Sequence, residues 1–364
     1  MADMPSFPYF SVPREARWGK SVAGRAPREI DPHSGTRLRI APTDKIASAG
    51  SCFAQRISES LQASGYNYFV TEEGAPFLSP ERRRDLNYRI YSARYGNIYT
   101  ALQLLQLFHR AFDRFAPAEP LWQLPEGGWV DPFRPSVQPG GFQSERECLN
   151  DRASHLRAVR RMFEEADVFV FTLGLTEAWL SKEDGAVFPA CPGSPLGGAF
   201  DPAAHVFHNF SVAEVTSHLD QFVAEFAAVN PAAPILLTVS PVPLLATYEQ
   251  RHVLQATTYS KSVLRVAAEE AVRKHPHVHY FGSYEIVTAT GDSAAYFLED
   301  RRAVSDAAVA HVLECFHRQF TGAEAPPSAT NRDPLPLAPA STRPMCDEEL
   351  VLAALAAQNP GARQ

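Results

Sequence analysis

Residues 45–65 read "KIASAGSCFAQRISESLQASG", and this stretch decides the fold. A short run of apolar and small residues breaks at Gly50. Apolar residues then return at helical spacing as Phe53, Ile57 and Leu61. Gly65 supplies a C-terminal stop. The pattern is strand, tight turn, helix over 51–62, with Ser51 and Cys52 at the turn. Small residues chosen for a tight turn would explain the tripeptide. A helix start also exposes free N–H groups that can stabilise an oxyanion, so a serine there is a candidate nucleophile.

The same rhythm repeats along the chain. "DVFVFTLG" at 167–174 and "PILLTVSP" at 234–241 are nearly all apolar, as strands buried on both faces are. "HVHYFGSYEIV" at 277–287 is a fourth such run. Helical patterns at 156–165, 212–229 and 260–274 lie between them. A last helix begins at the N-cap Ser305, with Val309, Val312, Leu313, Phe316 and Phe320 as one apolar stripe. Alternating strands and helices predict an α/β fold, a mostly parallel sheet covered on both faces.

Two regions interrupt the rhythm. Residues 66–150 hold a helix and then a loop over 116–141 rich in Pro, Gly and aromatics, read as an insertion and a lid. Residues 1–40 read as an arm packed on a core spanning 41–322. A Pro-rich linker is expected over 323–345 and a short helix over 346–358, which would dock on its own core or make a homo-oligomer.

The 364 residues carry a net charge of -7, which argues against a nucleic-acid partner. No window is long and apolar enough to predict a membrane span or a signal peptide. Five scattered cysteines without a C-x-x-C pair suggest neither a disulfide framework nor a zinc site, and a reduced, cytoplasmic setting is expected. His275, His277 and His279 share the alternation of a strand, but without nearby acids or cysteines they read as structural.

Several ordered motifs carry a resemblance. "GSCFA" at 50–54, "RYGNIYTALQLLQL" from Arg94, "FVFTLGLTEAW" from Phe169, "TVSPVPLLATY" from Thr238 and "TTYSKSVLR" from Thr257 resemble the GSCFA family. That family is similar to the SGNH, or GDSL-like, hydrolases and acyltransferases. The resemblance spans residues 11–320 and implies a flavodoxin-like three-layer α/β/α sandwich.

The resemblance also implies roles. Ser51 matches the nucleophile, and its own N–H would be one oxyanion donor. Gly96 matches the second-block glycine, and Asn97 beside it adds a side-chain amide. The third block, normally Gly-x-Asn, here reads "GLTE", so Thr176 or Glu177 stands where the amide would be. Glu177 donates only when protonated, which needs burial to raise its pKa. The last block is normally Asp-x-x-His. Asp300 matches its aspartate, and Ala303 occupies the histidine position.

Alanine cannot take a proton, and serine needs a base within hydrogen-bond reach. The intact surroundings favour a His-to-Ala replacement, introduced by engineering. A natural pseudoenzyme that binds an acylated ligand, or a base from elsewhere, are the alternatives. His311 is expected on the flank of the last helix and Cys52 in the core. Trp179, His208, Asn209, Ser260, Lys261, Trp129 and Arg134 are candidate contacts to the substrate, an acylated sugar or small metabolite, with Lys261 a cation for an anionic group. The reading is an esterase or O-acyltransferase that needs neither metal nor other cofactor.

Overall fold

The computed structural model describes residues 8–32, 35, 37–288, 296–322, 347 and 349–351. Its centre is a parallel sheet of four strands: β1 (Ile46–Gly50), β2 (Val168–Leu173), β3 (Ile235–Val239) and β4 (Val278–Phe281). They pair in that order, with Ile46 opposite Val168, Phe169 opposite Ile235, and Ile235 opposite Val278. On the outer edge of β1, Ile46 also bridges Tyr68 in parallel. Its N–H donates to the Asn67 carbonyl at 3.0 Å, and its own carbonyl accepts from Phe69 N–H at 2.9 Å. Counting that segment as an abbreviated second strand, the order is 2-1-3-4-5. In such a sheet the order reverses between β1 and β2, where a crevice opens at the strands' carboxyl ends.

Alternation along the strands separates two apolar layers. Ala47, Ala49, Phe169, Phe171, Ile235 and Leu237 face one side. There they meet α2 (Ala101–Ala111), α3 (Glu145–Glu165), α4 (Val212–Val229) and α5 (Val253–Lys274). Phe108, Phe163, Phe169, Phe222 and Phe226 stack into one aromatic knot on this side. Each fully buried Phe contributes about 1.5–3 kcal/mol by area. Ile46, Val168, Val170 and Leu236 face the other side, against α1 (Cys52–Ala63), α6 (Ser283–Thr288) and α7 (Asp306–Phe316). The architecture is therefore the expected α/β/α sandwich. Ser305 caps α7 by accepting from Ala308 N–H at 3.3 Å.

Several boundaries differ from the sequence reading. The run at 277–287 ends as a strand at Phe281 and resumes as helix α6, because Ser283 is buried and bonded to Thr238 Oγ1 and the Val239 carbonyl. Helix α3 starts at Glu145, well before 156. Its first half is polar, yet Arg152 is buried in an ion pair with Asp131 and His155 is buried and hydrogen-bonded to Glu72. A second excursion from the sheet, not anticipated, is an antiparallel trio: Glu177–Ser181 pairs with both Val187–Phe188 and His205–Asn209. The loop over 116–141 contains a two-stranded ribbon, Trp122–Gln123 against Trp129–Val130. The expected linker over 323–345 lies outside the described residues. So does the helix expected over 346–358, apart from residues 347 and 349–351.

Candidate active site

The site is built where β1 and β2 end. Gly50 has φ +148, and a Cβ there would lie 2.6 Å from the Thr172 carbonyl oxygen, so glycine alone lets the two strand ends close. Ser51 follows as the residue preceding α1, with an extended backbone and no capping bond from its side chain. Its N–H makes only a long bond, 3.4 Å, to the Thr172 carbonyl. Ser51 is 4% exposed, and among the described residues its Oγ has no hydrogen-bond partner. A buried hydroxyl left unpaired is unusual and calls for a reason.

Across the crevice, Gly174 follows β2, and a Cβ on it would lie 3.0 Å from Ser51 Cβ and 3.1 Å from the Tyr99 carbonyl oxygen. The segment containing Gly96 and Asn97 is laid over both strand ends. Ile98 N–H donates to the Gly50 carbonyl at 2.9 Å, and Gly174 N–H to the Tyr99 carbonyl at 2.9 Å. Tyr91 ties the segment to the nucleophile position, its hydroxyl lying 3.0 Å from the Ser51 carbonyl and 2.8 Å from Asn97 Oδ1. Gln55 donates to the same Oδ1 at 3.3 Å, which fixes the Asn97 amide with its nitrogen turned outward.

Ser51 opens on a cavity of about 20 Å³, enough for a water and not for an ester. Lys261 lines it, 2% exposed, its Nζ donating to the Gly174 carbonyl at 2.6 Å. Cys52, expected in the core, is buried and also lines it. Arg302 and Tyr99 line it as well. Among the described residues no histidine lines the cavity.

Thr176 is spent on structure. Its N–H donates to Ser260 Oγ at 3.0 Å and its hydroxyl to Asn209 Oδ1 at 2.7 Å, and Asn209 in turn donates to Glu249 at 3.0 Å. Thr176, Ser260 and Asn209 thus brace the loop after β2 and stand outside the cavity. Gly96 adopts φ +69 and faces Arg134, Ser136 and Val137; it does not line the cavity either.

Glu177 and Trp179 instead line a neighbouring apolar groove of about 270 Å³ that shares Tyr99 and Leu175 with the Ser51 cavity. Burial raises the Glu177 pKa, and its carboxyl accepts from Thr247 Oγ1 at 2.7 Å. Trp179 stands edge-on to Phe200, Phe207 and Tyr248.

Three expected contacts lie elsewhere. Arg134 is buried against Asp131 at 3.0 Å and Asp151 at 2.6 Å, so it clamps the loop and faces neither cavity nor groove. Trp129 is held in the ribbon, its N–H on the Phe142 carbonyl. His208 turns to Glu214 at 2.8 Å on the surface side of its strand.

Asp300 Oδ1 accepts from the N–H groups of Arg302 at 3.0 Å and Ala303 at 2.9 Å, closing the turn ahead of α7. The side chain that this turn sends to the cavity is that of Arg302. His311, expected on a flank, is buried and bonded to the Tyr296 hydroxyl at 2.8 Å. His275 pairs with Asp220, and among the described residues no group of three His, Cys, Asp or Glu gathers as a metal site. Among the described residues no helix is long and apolar enough to cross a membrane.

The GSCFA family model matches residues 45–316, three quarters of the chain, including both strand ends and the Asp300 turn. The chain belongs to the GSCFA family. No curated protein matches it. Among solved structures this GSCFA protein is similar to an acetyl xylan esterase from the rumen bacterium Butyrivibrio proteoclasticus, at 11% identity with a TM-score of 0.22. The match covers 68% of this chain and 56% of the esterase's own length, and at that score it carries no argument.

Tyr91, Tyr99 and Arg302 were not singled out from the sequence. Tyr99 lies two residues beyond Asn97 in a motif that was read, and the second-block pattern names only the glycine and its neighbour.

Proposed function

We propose that this GSCFA protein is built as a serine-dependent esterase or O-acyltransferase of SGNH type, acting on an acylated sugar or small metabolite. One observation carries the reading: Ser51 Oγ is buried, without a hydrogen-bond partner among the described residues, and open to a cavity at the start of a helix, at the sheet's switch point. Ser51 Oγ attacks the acyl carbonyl and loses its proton to a base. The carbonyl oxygen becomes an oxyanion, held by the N–H of Ser51 at the start of α1. Collapse expels the alcohol, which takes back the proton, and leaves the acyl group on Ser51. Water then gives hydrolysis, and a hydroxyl or amine gives transfer. The apolar groove with Trp179 suits the non-reacting part of the substrate.

The base belongs at position 303, where Asp300 would orient an imidazole. As the chain stands, Ala303 leaves Ser51 without one, and we read it as a His-to-Ala replacement. Ala303→His is expected to raise hydrolysis of p-nitrophenyl acetate about 10²–10⁴-fold, the range of a positioned general base. A fluorophosphonate should label Ser51 in that variant and fail once Ser51→Ala is added. No gain and no labelling would overturn the reading.

A second reading has its own support, since among the described residues no imidazole lines the cavity. The fold would then bind an acylated ligand without turnover. Ligand binding with no labelling of Ser51 in either form would favour it.

A further inference from the structure

The family match ends at Phe316, yet acids from far beyond it bond to two residues that line the Ser51 cavity, Tyr99 and Arg302. Asp347 is 2% exposed. Its Oδ2 accepts from Asn97 Nδ2 at 3.1 Å and from the Tyr99 hydroxyl at 3.0 Å, and its N–H donates to the Tyr99 oxygen at 2.9 Å. Glu349 pairs with the guanidinium of Arg302. Val351 forms part of the wall of the apolar groove.

The receiving groups are chemically of one kind. Gln55 and Tyr91 occupy Asn97 Oδ1, so this amide offers its nitrogen outward. Tyr99 offers a hydroxyl proton, and Arg302 a planar fork that matches a carboxylate. Donors placed this way select acids over amines or neutral alcohols.

We propose that Asn97, Tyr99 and Arg302 form a carboxylate-recognition site beside the Ser51 cavity, and that the chain fills it with its own acids, Asp347 and Glu349. A ligand bearing carboxylates displaces these acids to enter. The proposal rests on the Ser51 cavity being the entry for substrate, and it deepens that reading by naming an acidic group on the ligand.

Cys52 provides a readout that does not require Ser51 to react. It lines the cavity, whereas Cys148 and Cys315 are buried elsewhere and serve as controls. In the full chain, Asp347→Ala with Glu349→Ala should raise iodoacetamide alkylation of Cys52, read site by site by mass spectrometry, at least tenfold. Cys148 and Cys315 should not change. Glutarate should then protect Cys52 in a saturable way, and glutaramide should not.

If the alanine pair also exposes Cys148 and Cys315, the measurement is taken on Asp347→Asn with Glu349→Gln, which keeps side-chain size. Cys52 alkylation within twofold of the parent chain, or equal protection by glutarate and glutaramide, overturns the proposal. Failure of Ala303→His to activate Ser51 would leave this result standing, so the two readings fail separately.

Discussion

Two clusters of buried polar groups lie in this chain, and they are built in opposite ways. In the first, Arg110, Arg134 and Arg152 surround Asp131, while Arg94 and Arg134 share Asp151. Opposite charges meet across it, although Arg110 Nη2 and Arg134 Nη1 are buried without a hydrogen bond among the described residues; Arg110 stacks over Phe133, and the cluster fastens the loop over 116–141 to α3. In the second, around Ser51, a hydroxyl is buried with no hydrogen-bond partner among the described residues, and it borders a small cavity. The first arrangement holds a fold together. The second gains the fold nothing, and an uncompensated group at the switch point of a parallel sheet is the mark of a site.

The contrast breaks most visibly at Asp131. Burial alone would raise its pKa, but Arg110, Arg152 and Arg134 hold it far below the usual carboxylate range. Asp131→Ala leaves three guanidinium groups side by side without their counter-charge. The expected loss is about 3–5 kcal/mol, read as a lower urea midpoint with an unchanged slope. A loss below about 1 kcal/mol would mean that the cluster is decorative, and the comparison would lose one side.

Acid should undo the same region in a graded way. Burial pushes the Glu72 carboxyl up, but His155, Arg134 and the Arg94 N–H outweigh it and hold the pKa at about 2, against an ordinary 4.5. The folded value is depressed, so the contribution is present above pH 4.5 and is lost as pH falls from there towards 2. Its size is about 3 kcal/mol. Urea midpoints measured between pH 6 and pH 2.5 should fall with acid, and Glu72→Gln should flatten that fall. An unchanged slope in the variant would place the acid sensitivity elsewhere.

The two clusters were also unequally legible in sequence. Strands β2 and β3 announce themselves, because burial on both faces leaves a single threonine, Thr172 or Thr238, as the polar residue of each run. The first half of α3 does not. Its Asp151, Arg152 and His155 look like a solvated face, and only the fold reveals that they meet Arg94 and Arg134, Asp131, and Glu72 in turn. At the site, the strand–turn–helix pattern pointed to Ser51, and the structure gives Lys261 the same cavity. Tyr99 and Asp347, 248 residues apart, meet through packing that leaves no local pattern. Arg134 and Thr176 show the converse error: residue types suited to a ligand were already committed to partners within the fold.

The smallest effect is the sharpest test of the comparison. Ser51→Ala removes a hydroxyl that forms no hydrogen bond among the described residues, and the alanine methyl occupies the place of Cβ. An unpaired buried polar group costs stability, so its loss should leave the urea midpoint unchanged or raise it slightly, by about 0.5 kcal/mol or less. A midpoint lowered by about 1 kcal/mol or more would mean that the hydroxyl has a structural partner, and the argument from an unpaired Oγ would fall. A neutral or stabilising change, set beside a large loss for Asp131→Ala, would separate a position kept for chemistry from one kept for the fold. Stability that improves when a group is removed is what a reactive site predicts, because the strain and the unmet hydrogen bonds there serve the transition state and not the resting chain.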